Sequence, residues 1–294
     1  MDDQESMAER FEAHRPHLRA VAYRMLGSLS EADDAVQDAW LRASRADTSE
    51  VENLGGWLTT VVARVCLNLL RSREHRGEEP LDARPSDPVV GPEAGGDPEQ
   101  EATMADSVGL AMLVVLDTLT PAERLAFVLH DMFAVPFDEI APMIDRTPTA
   151  TRQLASRARR RVKGAEPAPS ADRARQRAVV EAFLAATRGG DFEALVVLLH
   201  PGVVLHADRA VVPTPEPVVV SGAETVARGA MAAMTRALST EPVLIDGAVG
   251  LVMAPLGRLF LVLRFTFADG LVTAIDVVAE PDRLSLLDLA VLDA

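Results

Sequence analysis

A chain of 294 residues with a formal net charge of −15 and 48% hydrophobic residues is long enough for about two domains with apolar cores. Its single cysteine, Cys66, excludes an internal disulfide framework and a zinc site built from several cysteines. No apolar run approaches 18 residues and no basic leader precedes one, so we expect a soluble cytoplasmic protein that is not bound to a membrane.

The charge is distributed unevenly along the chain. Residues 149–163 carry six basic side chains and no acid, whereas residues 77–103 carry eight acids and one arginine. Residues 178–294 carry fourteen acids and seven arginines. A local basic segment on an acidic body predicts a directed contact with phosphate groups rather than general binding to nucleic acid.

The first part of the chain, residues 8–76, is predicted to be all helical. From Leu54 onward the apolar residues repeat at helical spacing and place Cys66 in the core. Before them, Ser30 and Asp33 form the S-x-x-D pattern of a capping box, which predicts the start of a helix with an acidic face. On pattern alone, that face is as consistent with a solvated helix surface as with a binding site.

The second part, residues 104–164, follows an acidic linker at 77–103 that is rich in proline and glycine. Thr120-Pro-Ala-Glu123 predicts one helix start, and Thr147-Pro148 predicts another. Two short helices that meet near Asp145, the second of them basic, are typical of a helix-turn-helix. The alternative is a helix whose arginines are solvated or pair with the acidic linker.

The third part, residues 173–294, follows a short linker at 165–172 and changes character. Helices broken at Gly189-Gly190 precede a series of strand-like runs, and the last of these are separated by Pro-Leu-Gly and Asp-Gly turns. This order predicts an α+β domain with an antiparallel sheet. The predicted fold is therefore multidomain, with two all-α domains followed by an α+β domain.

Four blocks, LRAVAYRMLGSLSEADDAVQDAWLR, WLTTVVARVCLNLLRS, TPAERLAFVLHDMF and PFDEIAPMIDRTPTATRQLASRARRR, resemble regions 2 and 4 of bacterial extracytoplasmic-function (ECF) sigma factors. The segment RAVVEAFLAATRGGDFEALVVLLHPGVVLHAD resembles the start of the SnoaL-like domain, of the NTF2-like cone fold, that is fused to the SigJ-like subgroup. The resemblance implies a transcription initiation factor that carries core RNA polymerase to the −10 and −35 promoter elements.

The resemblance also implies roles for particular residues. Asp34, Gln37 and Asp38 would bind the clamp helices of the polymerase β′ subunit. The −10 element would be contacted by Arg64, Asn68 and Arg71. The −35 element would be contacted by side chains of the basic helix, namely Thr149, Arg152, Gln153, Arg157, Arg160 and Arg161.

Three positions depart from the family pattern. Asp145 stands at the helix-turn-helix corner where relatives often have glycine, and an aspartate tolerates a left-handed turn better than most residues. Pro142 is expected to shorten the first helix of the motif. Asp208-Arg209-Ala210 stands where related domains have a glycine-rich D-G-G.

In the third part, His200, His206, Asp208 and Asp276 are candidates for an enzyme site, but no spacing among them requires chemistry. We therefore expect no catalysis, no metal and no cofactor. His200, beside Pro201-Gly202, is expected in a surface loop. Glu280-Pro-Asp-Arg-Leu284 resembles an NPDKL-type motif, which implies a regulatory contact of Asp282 and Arg283 with the sigma part.

A built-in regulator is therefore the predicted role of the third part, with an unidentified small-molecule ligand as a possible partner. Two other classes of function stay open on the residues alone. A helix-turn-helix regulator with a ligand-sensing domain would bind DNA tightly without polymerase. A cone-fold enzyme with a DNA-binding accessory would turn over a small molecule. Neither class needs the block of residues that resembles region 2.

Overall fold

The computed structural model describes residues 2–49, 51–76, 109–164, 171–211 and 217–292. Two compact units divide the chain: residues 1–108 with 116–159, and residues 109–115 with 160–294. Most of the first two predicted parts falls in the first unit, while residues 109–115 and 160–164 group with the third predicted part. The predicted linker at 77–103 and most of the linker at 165–172 lie outside the described residues.

The first unit begins with three helices: α1 (Asp2–Leu26), α2 (Leu29–Ala43) and α3 (Leu54–Arg76). Their shared core contains Leu18, Met25 and Leu58, which are fully buried. The predicted capping box was wrong by two residues, since the N-cap of α2 is Ser28. A left-handed glycine at position 27 ends α1, so Ser28 is already extended and its hydroxyl accepts the backbone N–H of Glu31 in the first turn of α2.

The helix-turn-helix prediction is confirmed in its local geometry. Helix α5 (Pro121–Phe127) has the predicted capping box and leads into a π-helical turn (Val128–Met132). Helix α6 (Phe137–Ile140) passes into a 3₁₀ turn (Ala141–Met143) at Pro142, whose ring nitrogen has no proton to continue an α-helix. Asp145 adopts a left-handed φ of 54° and leads to α7 (Pro148–Lys163).

The second unit contains a seven-stranded sheet in the order β2-β1-β6-β5-β4-β3-β7. Its strands are β1 (Leu199–Ala207), β2 (Val218–Ser221), β3 (Thr240–Ile245), β4 (Ala248–Met253), β5 (Leu261–Ala268), β6 (Leu271–Val278) and β7 (Leu289–Ala290). The helices that accompany them in the described part of the unit are α8 (Ala171–Gly189), α9 (Phe192–Leu198), α10 (Ala223–Ala232), α11 (Met234–Ala237) and α12 (Pro281–Leu284). The predicted α+β class is confirmed.

Details of the sheet differ from the sequence prediction. The sheet is mixed rather than antiparallel, because β1 and β6 run parallel. The run of residues 241–254 is a hairpin, β3 and β4, that turns at Asp246-Gly247, where both residues have positive φ. His200 lies in β1 and not in a loop. One sheet face packs against helices α8 to α10 through a core that includes Phe183, Leu195 and Phe265.

Helix α4 (Leu110–Asp117) and helix α7 each contribute residues to both units. Residues 109–115 and 160–163 group with the sheet, and the remainder of each helix groups with the first unit. Among the described residues, none of the helices combines the length and the hydrophobicity needed to cross a bilayer.

Candidate nucleic-acid and polymerase interfaces

The acidic face of α2 presents the three predicted polymerase-binding residues together. Asp34 and Gln37 are exposed and Asp38 is half-exposed. Their spacing of three and four residues places them on one side of the helix. Leu41 continues this face one turn later and is 46% exposed, which adds an apolar side chain to a negatively charged surface. Such a surface is complementary to a basic partner with an apolar centre.

The predicted −10 residues share one face of α3. Arg64 and Asn68 are exposed, and Arg71 is half-buried one turn further on. The opposite face of α3 packs inward through Leu58, Val62 and Cys66. Burial raises the pKa of the Cys66 thiol to about 12, so this cysteine is a neutral core residue, as its apolar neighbours predict.

The outer face of α7 carries all of the predicted −35 residues. Its helix starts as predicted, because the Thr147 hydroxyl accepts the backbone N–H of Ala150 at 3.2 Å. Thr151, Ala155, Ala158 and Val162 form the buried face. The predicted contact residues are all exposed: Thr149, Arg152, Gln153, Arg157, Arg160 and Arg161.

Two arginines of α7, Arg157 and Arg152, make different intramolecular contacts. Arg157 donates through Nε to Oε1 of the buried Glu123 at 2.9 Å, so this guanidinium is held against the start of α5. The guanidinium of Arg152 instead lies 5.2 Å from the ring centroid of Phe137, in a cation–π contact. That ring in turn stacks on His130 with 3.7 Å between centroids.

Sequence reasoning missed Arg124, which joins the two predicted helical domains inside the first unit. Its side chain is 3% exposed. Its guanidinium donates to the carbonyl of Leu116 at 2.7 Å, to the carbonyl of Met25 at 2.9 Å, and to the carboxylate of Asp117 at 2.8 Å. Burial lowers the pKa of Arg124, and the nearby carboxylate opposes that shift. No feature of the stretch PAERLAF distinguishes this arginine from a surface one.

Phe133 makes a second contact between the same two parts of the first unit. Its ring packs edge-on against the His17 ring of α1, with 5.2 Å between centroids. The guanidinium carbon of Arg24 lies over the Phe133 ring, 5.1 Å from its centroid. The bond from Arg124 to Met25 also ends on α1, at one of the carbonyls that the helix terminus leaves without an internal donor. The α1 helix is thus tied to the helix-turn-helix by polar and aromatic contacts.

The four enzyme candidates of the second unit lie on β1, directly after it, and on β6. Asp208 is buried, and its carboxylate accepts the N–H groups of Ala279 at 2.8 Å, Glu280 at 2.9 Å and Ala210 at 3.2 Å. These bonds make it an anchor for the segment after β6. His206 stands beside Asp276 in the pairing of β1 with β6, while His200 is exposed at the start of β1.

The predicted regulatory residues lie on α12, directly after this anchor. Asp282 and Arg283 are exposed, and a guanidinium nitrogen of Arg283 lies 3.5 Å from Oδ2 of Asp208. Asp208, directly after β1, and the segment 280–284 are therefore linked to each other within the second unit. In the described part of the chain, no group of three or more His, Cys, Asp or Glu side chains is arranged to hold a metal ion.

Comparison with known proteins agrees with this geometry. Residues 10–76 match the family model of sigma-70 region 2, and residues 110–162 match that of sigma-70 region 4. A three-helix domain with an acidic face, followed by a helix-turn-helix in the described order, defines a sigma factor of the sigma-70 class.

Individual relatives narrow the class. The probable ECF RNA polymerase sigma factor SigI of Mycobacterium tuberculosis is 34% identical over 291 residues, which cover 98% of each chain. The ECF sigma factor SigJ of the same species is 43% identical over 199 residues, 67% of this chain and 64% of SigJ. The crystal structure of SigJ covers 95% of this chain and 98% of its own, at 33% identity and a TM-score of 0.45.

The chain belongs to the ECF RNA polymerase sigma factors. The predicted family and function are thereby confirmed. Neither alternative class of function is favoured, because the match to the probable sigma factor SigI covers 98% of the chain.

Proposed function

We propose that the acidic face of α2 binds the β′ clamp helices, that α3 contacts the −10 element, and that α7 reads the −35 element. The observation that carries this proposal is that the predicted contact residues lie on single faces of three helices, opposite their buried faces, and that all of them except the half-exposed Asp38 and the half-buried Arg71 are exposed. A role at polymerase and promoter DNA also implies that the protein acts in the cytoplasm.

The basic helix supplies two kinds of DNA contact in this proposal. Arg152 and Arg157 contact base edges, and Arg160 and Arg161, with the rest of the C-terminal turn, contact phosphates. Support for the first assignment comes from Arg152, which is exposed and whose guanidinium lies 5.2 Å from the centroid of the Phe137 ring. Arg157 would have to leave Glu123, or contact DNA while bound to it.

The Arg152→Ala substitution is expected to cost roughly 1–3 kcal/mol in promoter binding and to relax base preference at one position of the −35 element. The Arg160→Ala substitution is expected to weaken binding to all sequences equally and to reduce the salt slope by about one unit. Holoenzyme binding to a set of single-base promoter variants measures both effects. Unchanged base preference in both Arg152→Ala and Arg157→Ala would remove these two residues from base reading.

The contacts of Arg124 and Phe133 hold α1 against the helix-turn-helix within the first unit. Elements at −10 and −35 are about 25 base pairs apart, which is roughly 85 Å at 3.4 Å per base pair. The first unit has about 120 described residues, and a compact body of that size has a radius of gyration of only roughly 14 Å. Because α3 and α7 belong to this one unit, it must open before both helices reach their elements.

We further propose that residues 173–294 form a built-in regulator, whose response an unidentified small ligand would tune. Fourteen acids and seven arginines between 178 and 294 amount to a net charge of −7, which favours docking on the basic DNA-facing segments. Asp282 and Arg283, anchored through Asp208, are the proposed contact residues. The tether keeps the domain at a high effective concentration near the sigma part.

The Asp282→Lys substitution is expected to raise promoter-dependent transcription at least twofold, because it replaces an attractive charge in the docking contact by a repulsive one. A matched control is Glu224→Lys, since both acids are exposed and lie in the first turn of a helix of the same unit. Multi-round transcription with core polymerase measures the difference. Equal transcription from the two variants would contradict a regulatory contact at this position.

A further inference from the structure

Helix α4 lacks a polar face along most of its length. Its sequence is LAMLVVLD, and Leu113, Val114 and Val115 are each at most 1% exposed. Consecutive helical residues point about 100° apart, so these three side chains cover more than half of the circumference of the helix. A helix that is apolar on all sides must be buried on more than one side. Residues 109–115, the start of region 4, belong to the unit that contains the sheet.

The sheet caps the N-terminus of this helix. The backbone N–H of Ala111 has no partner within its own helix and donates to Oε2 of Glu241 at 3.1 Å. Glu241 lies on β3, on the same face as Val243 and Ile245. A carboxylate at this position also interacts favourably with the positive end of the helix dipole.

That face of the sheet is apolar and buried, and it is not the face that packs on α8 to α10. Strand pairing aligns Glu241 with Val252, then Val252 with Val262, and Val262 with Val278. Val243, Ile245, Val252, Val262 and Val278 are each at most 2% exposed. Residues of the opposite face, such as Leu251 and Phe265, form the core with the helices. The sheet therefore buries apolar side chains on both of its faces.

The same unit also caps the C-terminus of α7. The backbone N–H of Val291 donates at 2.9 Å to the carbonyl of Val162, one of the last carbonyls of the helix. Gly164 follows with a φ of +72°, and a Cβ atom added there would lie 2.8 Å from Cβ of Ala290. Ala290 is fixed by the pairing of β7 with β3. Residues 290–291 and the last turn of α7 thus approach closely, and only a glycine fits between them.

We propose that the C-terminal domain is a scaffold that completes region 4, with a surface that holds the apolar helix 110–115 and the end of α7. Region 4 then depends on the domain for two helix caps and for the burial of α4. Removal of the domain would unfold region 4 instead of releasing an active sigma core. This inference rests on the assignment of region 4 and is independent of whether Asp282 and Arg283 regulate transcription.

A matched pair of glycine substitutions in the full chain tests the scaffold. Gly164→Ala places its methyl group against Ala290, whereas Gly270→Ala meets nothing within 4 Å; both glycines have positive φ, so both variants carry the backbone strain. Amide hydrogen exchange is then measured in α4, in the last two turns of α7 and at Val291. We expect exchange to become at least tenfold faster in all three places in Gly164→Ala and to stay unchanged there in Gly270→Ala.

Retained protection of α4 and α7 in Gly164→Ala would overturn the scaffold. If that variant fails to fold, a second pair decides the question: Glu241→Gln keeps a hydrogen-bond acceptor and Glu241→Ala removes it. Faster exchange at Ala111 and across α4 in Glu241→Ala alone supports the proposal, and equal exchange in the two variants overturns it. Transcription by Asp282→Lys is assayed separately, so failure of the regulatory proposal is distinguishable from failure of the scaffold.

Discussion

Replacement of Arg124 by alanine is expected to lower the free energy of unfolding of the first unit by about 1–3 kcal/mol. The substitution leaves the Met25 carbonyl without its donor, and an unsatisfied buried acceptor costs about 1–3 kcal/mol, whereas the Leu116 carbonyl still accepts the backbone N–H of Leu119 at 3.2 Å. Loss of the ion pair with Asp117 adds little, because that carboxylate is 56% exposed and water replaces its partner.

Urea unfolding followed by tryptophan fluorescence measures this effect selectively, since both tryptophans, Trp40 and Trp57, lie in the first unit. The control is Arg19→Ala, which breaks the bridge from Arg19 to the half-exposed Asp33 and is expected to cost less than about 1 kcal/mol. Arg124→Lys should fall between the two, because an ammonium retains the charge but cannot reach three acceptors in a plane. A loss no larger than that of Arg19→Ala would show that Arg124 does not hold α1 to the helix-turn-helix.

The double charge reversal Asp34→Lys with Asp38→Lys is expected to weaken binding to core polymerase roughly a hundredfold and to remove promoter-dependent transcription at limiting protein. Each reversal replaces an attraction by a repulsion at the centre of the acidic face, and a tenfold loss per site corresponds to about 1.4 kcal/mol. Asp38 also loses its bridge to Arg42, which is an exposed pair at 2.8 Å and contributes little to folding.

Competition binding against a labelled sigma factor measures core affinity, and run-off transcription measures activity. Glu9→Lys with Glu12→Lys is the matched control, because it changes the net charge of the same unit equally through exposed residues of α1. Tryptophan fluorescence verifies that both double variants are folded. If the two double variants bind core polymerase equally, the acidic face of α2 is not the polymerase interface.

Local signals along the chain predicted the helix-turn-helix in detail. Thr120 with Glu123, and Thr147 before Pro148, start helices as expected, because a capping side chain and its N–H partner are only a few residues apart. Pro142 ends the α-helical turn before it, and Asp145 takes the left-handed conformation. The amphipathic spacing also placed the proposed contact residues on exposed faces, since exposure on a helix follows from periodicity.

Where the sequence pattern allowed two local structures, a neighbouring residue with positive φ determined which one forms. Ser30 and Asp33 matched a capping box, but the left-handed glycine at position 27 ends α1 and makes Ser28 the N-cap. Similarly, the run of residues 241–254 has strand propensity throughout, and its turn at Asp246-Gly247 divides it because both residues accept positive φ.

Tertiary structure alone decided the contacts between distant parts of the chain. The parallel pairing of β1 with β6, the burial of Arg124 against Met25, and the donation from Val291 to Val162 join residues that are about 70 to 130 positions apart. No periodicity or capping pattern encodes such pairs, because they depend on how separate elements pack. Local pattern therefore determined the faces of the helices, and the resemblance of the quoted blocks indicated the class of protein. Packing determined that α1 is tied to the helix-turn-helix and that residues of the second unit cap the start of α4 and the end of α7.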